Sequence, residues 1–238
     1  MPITTNRQRV LTQLFTILKK RYQPREPEQR PVLEQFIYAI CREGVTREQA
    51  DRAYRNLQER FFDWNEIRVS SGRELEEALG DLPEAEARAQ RLISFLQEVF
   101  ETTFSFDLEL LQKKGMKQAA KQLARFQAAN DYTVAWIVQQ ALGGHAIPLD
   151  EPTLRVLRRL GLIDDDTADL EALRASLEHQ VPKAKSALFS DLVSALASEC
   201  CWEEEPDCVS CPLASDCPTG RDATAVVAAE RANRPKPR

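Results

Sequence analysis

Apolar side chains recur at three- and four-residue intervals along almost the whole 238-residue chain. That period fits one face of an α-helix and neither face of a strand. Val10, Leu11, Leu14, Phe15 and Leu18 form the first such stripe. Pro31 opens a second, with Leu33, Phe36, Ile37 and Ile40 inward; a missing N–H is no loss in a first helical turn. Thr46-Arg-Glu-Gln49 and Ser71-Gly-Arg-Glu74 have the form of capping boxes ahead of further apolar repeats, so both predict helix starts. Pro83 starts a helix carrying Leu92, Ile93, Leu96 and Val99. Residues 107–114 read as a short helix stopped by Gly115, and 116–126 as another. A break at 127–131 precedes a helix over 132–142, ended by Gly143-Gly144. Helices over 152–160, 168–179 and 183–200 follow. Only 66–70 has any strand flavour, too short to matter, and 221–238 reads as a disordered basic tail of Ala, Arg and Pro with few apolar anchors. With 8 glycines in all, the chain is short of the turn residues that a sandwich or a glycine-looped nucleotide sheet uses. The expected class is all-α.

Charge refines what such a bundle could meet. The formal net charge is −5, from 32 Lys+Arg against 37 Asp+Glu, which speaks against a chain that binds nucleic acid by bulk charge. The distribution is uneven. Residues 61–101 are strongly acidic, whereas 110–130 hold Lys113, Lys114, Lys117, Lys121 and Arg125 with no acid among them. Lys117, Lys121 and Arg125 fall at i, i+4 and i+8 of the expected helix. Such a stripe suits backbone phosphates, and equally suits a solvated helix face. No apolar run reaches the roughly 20 residues a membrane span needs. The first residues, Met-Pro-Ile-Thr-Thr-Asn-Arg, lack a signal-peptide core. A chain in a reducing cytoplasm, without membrane contact, is expected.

Five of the six cysteines lie between Cys200 and Cys217. Without a secretion signal, such clustering reads as a metal or cluster site before it reads as disulfides. Cys201-x6-Cys208-x2-Cys211-x5-Cys217 supplies four thiolates, a set that can hold a [4Fe–4S] cluster or a zinc ion. Zinc ribbons pair two close Cys-x2-Cys knuckles, and here there is one. Cys200 reads as a buried spare thiol, and Trp202 as a shield for the edge of the site.

The 6-2-5 spacing resembles the C-terminal cluster loop of the endonuclease III branch of the helix-hairpin-helix DNA glycosylases. The segment from Ala146 to Leu162, with Leu149-Asp150 ahead of Leu-Arg-Val-Leu-Arg-Arg, is similar to the stretch after that family's hairpin. The resemblance spans roughly residues 10–217 and implies a good deal. It implies two helical subdomains: a bundle over 31–145 ending in the hairpin, and the 1–30 helix packing with the 146–220 helices and loop. It implies a [4Fe–4S] cluster on Cys201, Cys208, Cys211 and Cys217. It implies double-stranded DNA with a damaged base as partner, a monomeric nucleoid-associated enzyme, and Asp150 as the carboxylate beside the reacting sugar. From spacing alone, Asp150 is also a good N-cap for the helix that follows.

The chain departs from that pattern in four places. Phe126-Gln-Ala128-Ala-Asn130-Asp-Tyr132-Thr133 stands where the family's hairpin carries two glycines and, in bifunctional members, a Schiff-base lysine. Ala128 and Asn130 replace the glycines, and a turn there calls on the left-handed tolerance of Asn130. DNA contacts are expected from Ala128, Asn130 and Thr133 beside Lys117, Lys121 and Arg125. Tyr132 replaces the lysine and cannot form an imine, so no lyase step is expected. Arg42-Glu-Gly-Val-Thr46 replaces a Gln-containing turn, and Glu203, Glu204, Glu205 and Asp207 place acid in the cluster loop. The resulting expectation is a monofunctional DNA N-glycosylase. The alternatives are an inactive homologue that binds DNA and keeps the cluster, and a redox or protein-interaction module.

Overall fold

The structure, a computed structural model, describes residues 2–23, 27–164 and 169–232. Among these every regular element is helical. The α-helices are α1 (Pro2–Tyr22), α2 (Val32–Arg42), α3 (Arg47–Arg60), α4 (Trp64–Val69), α5 (Gly72–Leu79), α6 (Ala85–Thr103), α7 (Met116–Leu123), α8 (Asp131–Gln140), α9 (Glu151–Arg159), α10 (Leu170–Gln180), α11 (Ser186–Glu199) and α12 (Pro218–Ala232). Short 3₁₀ turns cover Glu109–Lys113 and Lys183–Lys185. No helix of the described residues is long and apolar enough to cross a membrane.

The chain divides into two compact units. One holds residues 26–150 and 181–187; the other holds 1–25, 151–180 and 188–238. In the first, α2 lies against α3, α6 and α8. Its side chains from Val32 to Arg42 are buried apart from Glu34, as the apolar run dictates. Phe36 stacks on Phe95 of α6 with ring centroids 3.8 Å apart, and Phe126 meets both rings edge-on. The capping boxes at Thr46 and Ser71 form as the sequence predicts. In the second unit, Leu11, Leu14 and Leu18 of α1 are buried, as are Phe189, Leu192, Val193 and Leu196 of α11. Phe15 and Phe189 pack at 6.1 Å, and Arg21 of α1 pairs with Glu199 of α11.

Two expectations need correction, and one short segment takes a definite form. Residues 66–70 are not extended: α4 occupies most of the segment, because Asp63 caps it by accepting the N–H of Glu66 at 2.8 Å and Ile67 turns inward. The segment from Arg221 to Ala232 is helical in α12 rather than disordered. Pro218 sits in its first turn and alanine recurs along it, and both favour helix. The rest of the expected tail, 233–238, lies outside the described residues. Arg125 falls past the end of α7, its N–H bonded to Gln122 C=O at 3.1 Å, so the basic stripe is shared between a helix and a turn.

Candidate functional site

Within the first unit three segments meet around Asp150. The chain from Ala146 to Leu149 is buried and presents Asp150 directly ahead of α9. The Asp150 Oδ2 accepts the backbone N–H of Gly44 at 2.9 Å. Gly44 lies in the turn between α2 and α3 with φ +74°, a left-handed angle that glycine adopts without strain. Two buried arginines hold that turn. Arg88 donates to the carbonyls of Ile40, Glu43 and Pro83, satisfying groups left open where α2 ends, and Arg42 donates to Val45 C=O.

Tyr132, in the first turn of α8, is 4% exposed. Its ring stacks on Trp136 at 6.1 Å, and Trp136 Nε1–H donates to Gln35 at 3.0 Å. Burial pushes the Tyr132 phenol well above its ordinary pKa; nearby Arg42 opposes the shift, and the charges of Asp150 and Glu43 add to it. Tyr132, Asp150, Arg42 and Glu43 thus share one electrostatic neighbourhood.

The hairpin between α7 and α8 is built without a left-handed residue. Asn130 has φ −132° and is the N-cap of α8. Its side chain accepts Thr133 N–H at 2.9 Å, and Thr133 Oγ1 accepts Asn130 N–H at 2.9 Å. The expected left-handed Asn130 is therefore corrected to an extended cap, and alanine at 128, 5% exposed, needs no glycine. Charged side chains of α6 brace the turn. Arg91 donates to Ala128 C=O at 3.1 Å, and Glu98 accepts Gln127 N–H at 2.9 Å. Glu43 joins the network, accepting from Arg91 at 2.8 Å and from Asn130 Nδ2 at 2.6 Å. Lys113, Lys114, Lys117, Lys121 and Arg125 are all exposed. Sequence reasoning missed Glu43, Arg91 and Glu98. Each looks like solvated helix surface, and no periodicity reports pairings 29 to 87 residues apart.

In the second unit the cysteines lie in one loop. Cys208 and Cys217 are buried, and Cys201 and Cys211 half-buried. Cys200 is 2% exposed, and its proximity draws the Cys211 thiol below the ordinary range of a thiol. Arg159 of α9 reaches Cys201 Sγ at 3.5 Å and the carbonyls of Trp202 and Glu203, while Arg155 donates to Cys201 C=O at 3.0 Å. Cys217 Sγ donates to Arg159 C=O at 3.1 Å. Arg155, Arg158 and Arg159, with Glu151 and Glu203, line a depression of about 430 Å³. Trp202 is 48% exposed, its indole N–H on Ser198 C=O at 2.8 Å. Among the described residues no three Cys, His, Asp or Glu side chains are gathered as metal ligands.

No protein-family model matches the chain. A DNA-bound, non-covalent endonuclease III structure superposes with a TM-score of 0.70 at 19% identity, covering 92% of this chain and 98% of that one. The fold is the endonuclease III fold. It extends, within the helix-hairpin-helix glycosylases, to a thermostable thymine-DNA glycosylase (TM-score 0.66, 16% identity, 92% and 98% covered). A 3-methyladenine DNA glycosylase of H. pylori shares it at TM-score 0.59 and 13% identity, over 82% and 97% of the two chains. By sequence, the chain is 20% identical over 157 residues to a protein of Arabidopsis thaliana named "Putative DNA glycosylase", covering 66% of this chain. It spans about half, 53%, of that curated relative's length.

Proposed function

We propose that the chain is a DNA N-glycosylase of base excision repair, acting on duplex DNA with Asp150 as its key carboxylate. The bond from Gly44 N–H to Asp150 carries this reading, because it fixes a carboxylate in position and orientation against the α2–α3 turn. Breaking an N-glycosidic bond develops oxocarbenium charge on the sugar, which a fixed carboxylate stabilises while it activates water. The damaged nucleotide must leave the stack first, since its C1′ is out of reach within a duplex. Tyr132 offers no amine and is packed into the core, so the reaction stops at base removal.

The test is single-turnover assay of wild type and Asp150→Asn on duplexes bearing oxidised, alkylated and deaminated bases. Wild type is expected to leave alkali-labile sites on at least one duplex. Asp150→Asn is expected to be slower by on the order of a hundredfold or more. An absence of alkali-labile breaks across the panel sinks the proposal, and a borohydride-trapped complex refutes the monofunctional assignment.

The altered hairpin, with Ala128 and Asn130 in place of glycines, and the acidic cluster loop favour one second reading, a homologue that binds DNA without turnover. Its mark is tight, salt-dependent binding to damaged duplex that Asp150→Asn leaves intact.

Donor chemistry supports a [4Fe–4S] cluster on Cys201, Cys208, Cys211 and Cys217: four sulfurs lie in one loop. Bound there, the cluster supplies a covalent cross-link to a loop poor in regular structure. Analysis is expected to find about four iron and four sulfide per chain; zinc in their place overturns the assignment.

A further inference from the structure

Helix α6 reaches the hairpin with two charged side chains set two helical turns apart. Arg91 holds the carbonyl of Ala128, and the Glu98 carboxylate accepts the N–H of Gln127 at 2.9 Å. Arg91 also holds Glu43, whose other oxygen takes Asn130 Nδ2 at 2.6 Å. Two more amides of the turn are used inside it: Ala129 N–H on Phe126 C=O at 2.9 Å, and Asn130 N–H on Thr133. A turn of backbone N–H groups leading into a helix N-terminus attracts anions. Here the chain supplies the anions itself, one carboxylate on each flank. Lys117, Lys121 and Arg125 stand exposed on the approach to the same turn.

We propose that Glu98, seconded by Glu43, is a built-in competitor for the DNA backbone at the hairpin, and that it loosens the grip on undamaged duplex. This rests on the reading of the chain as a DNA-binding protein. A phosphate approaching the turn meets the Glu98 carboxylate on one flank and the Glu43–Arg91 pair on the other. The cations of the approach then bring DNA near without anchoring it, so a duplex that does not engage the Asp150 site is released.

The experiment uses the whole 238-residue chain as purified. Binding of a labelled undamaged duplex is titrated at several salt concentrations for wild type, Glu98→Gln and Glu101→Gln. Glutamine keeps an oxygen for Gln127 N–H and removes the charge, so the hairpin keeps its geometry. Glu101 is exposed one turn further on and bonds Gln97 instead of the hairpin. Glu98→Gln is expected to bind on the order of three- to tenfold tighter at low salt, with the gain shrinking as salt rises. Glu101→Gln is expected to change affinity by less than about twofold. Unchanged or weaker binding by Glu98→Gln, including no binding by either protein, overturns the proposal. An equal gain from Glu101→Gln overturns it too, because bulk charge would then be the cause. Base excision is measured in parallel: tighter Glu98→Gln binding without excision by wild type would remove the glycosylase reading and leave this one standing.

Discussion

Tyr132, proposed to stand where bifunctional glycosylases carry an amine, has surroundings that explain the ring. It is buried and stacked on Trp136, whose indole is tied to Gln35. Tyr132→Ala should therefore cost about 3–5 kcal/mol, while Tyr132→Phe, which keeps the stack, should cost less than about 1.5 kcal/mol. Urea unfolding checks both, and equal losses would show that the hydroxyl rather than the ring matters. Cys41 makes a second prediction at this scale. Fully buried in α2, its thiol is pushed up to about 12 by burial, from 9.0. A folded pKa above the unfolded one means stability is complete below pH 9 and falls as pH rises towards 12, by about 1.4 kcal/mol per pH unit. The thiol contribution to that slope should vanish in Cys41→Ala, whatever that variant loses at neutral pH. An unchanged slope between pH 9 and 11 would refute it. The segment around Asp150 singles that residue out as a candidate, but not its contact with Gly44, which lies 106 positions away, beyond the reach of any local pattern.

Elements were more readable than contacts. Wherever apolar residues keep a helical period and a cap precedes them, as at Thr46 and Ser71, local and tertiary preferences agree and the helix forms as expected. The failures have local causes. In α4 the short apolar run Ile67-Arg68-Val69 gives no period to distinguish strand from helix, and the Asp63 cap decides. In the hairpin, Asn130 was read for the angles asparagine tolerates, whereas it serves through its side-chain oxygen. That distinction can be measured. Asn130→Ala removes the cap and should cost about 1 kcal/mol, and Asn130→Gly only a few tenths beyond its effect on Glu43. Asn130→Asp keeps the cap oxygen but sets a carboxylate against Glu43. It should be destabilised at neutral pH and regain stability as acid neutralises the pair. A loss from Asn130→Asp that does not depend on pH would show that Glu43 is not felt there.

At the scale of the whole molecule, the net charge of −5 conceals where charge acts. The exposed cations of 113–125 and the carboxylates of Glu43 and Glu98 belong to one unit, and the arginines of α9 with the acidic 203–207 stretch belong to the other. The two units also differ in what holds them. The first has an aromatic and aliphatic core running from Val32 to Ile137. Residues 200–217 of the second have no helix of their own; Arg155 and Arg159 hold their carbonyls. Loss of one of the proposed cluster ligands should therefore act locally. Cys208→Ser is expected to lose the visible absorbance of the proposed cluster and the amide-exchange protection of 200–217. Protection across α2, α6 and α8 should stay within a few-fold of wild type, because exchange there is limited by opening of a core that contains none of these cysteines. Hydrogen exchange with mass spectrometry, run on both proteins with matched peptides, separates the outcomes. Uniform loss across both units would mean that the cluster supports the whole fold. Unchanged protection in 200–217 would mean that the protein contacts hold the loop, and the four thiolates would then have to be explained by something other than structure.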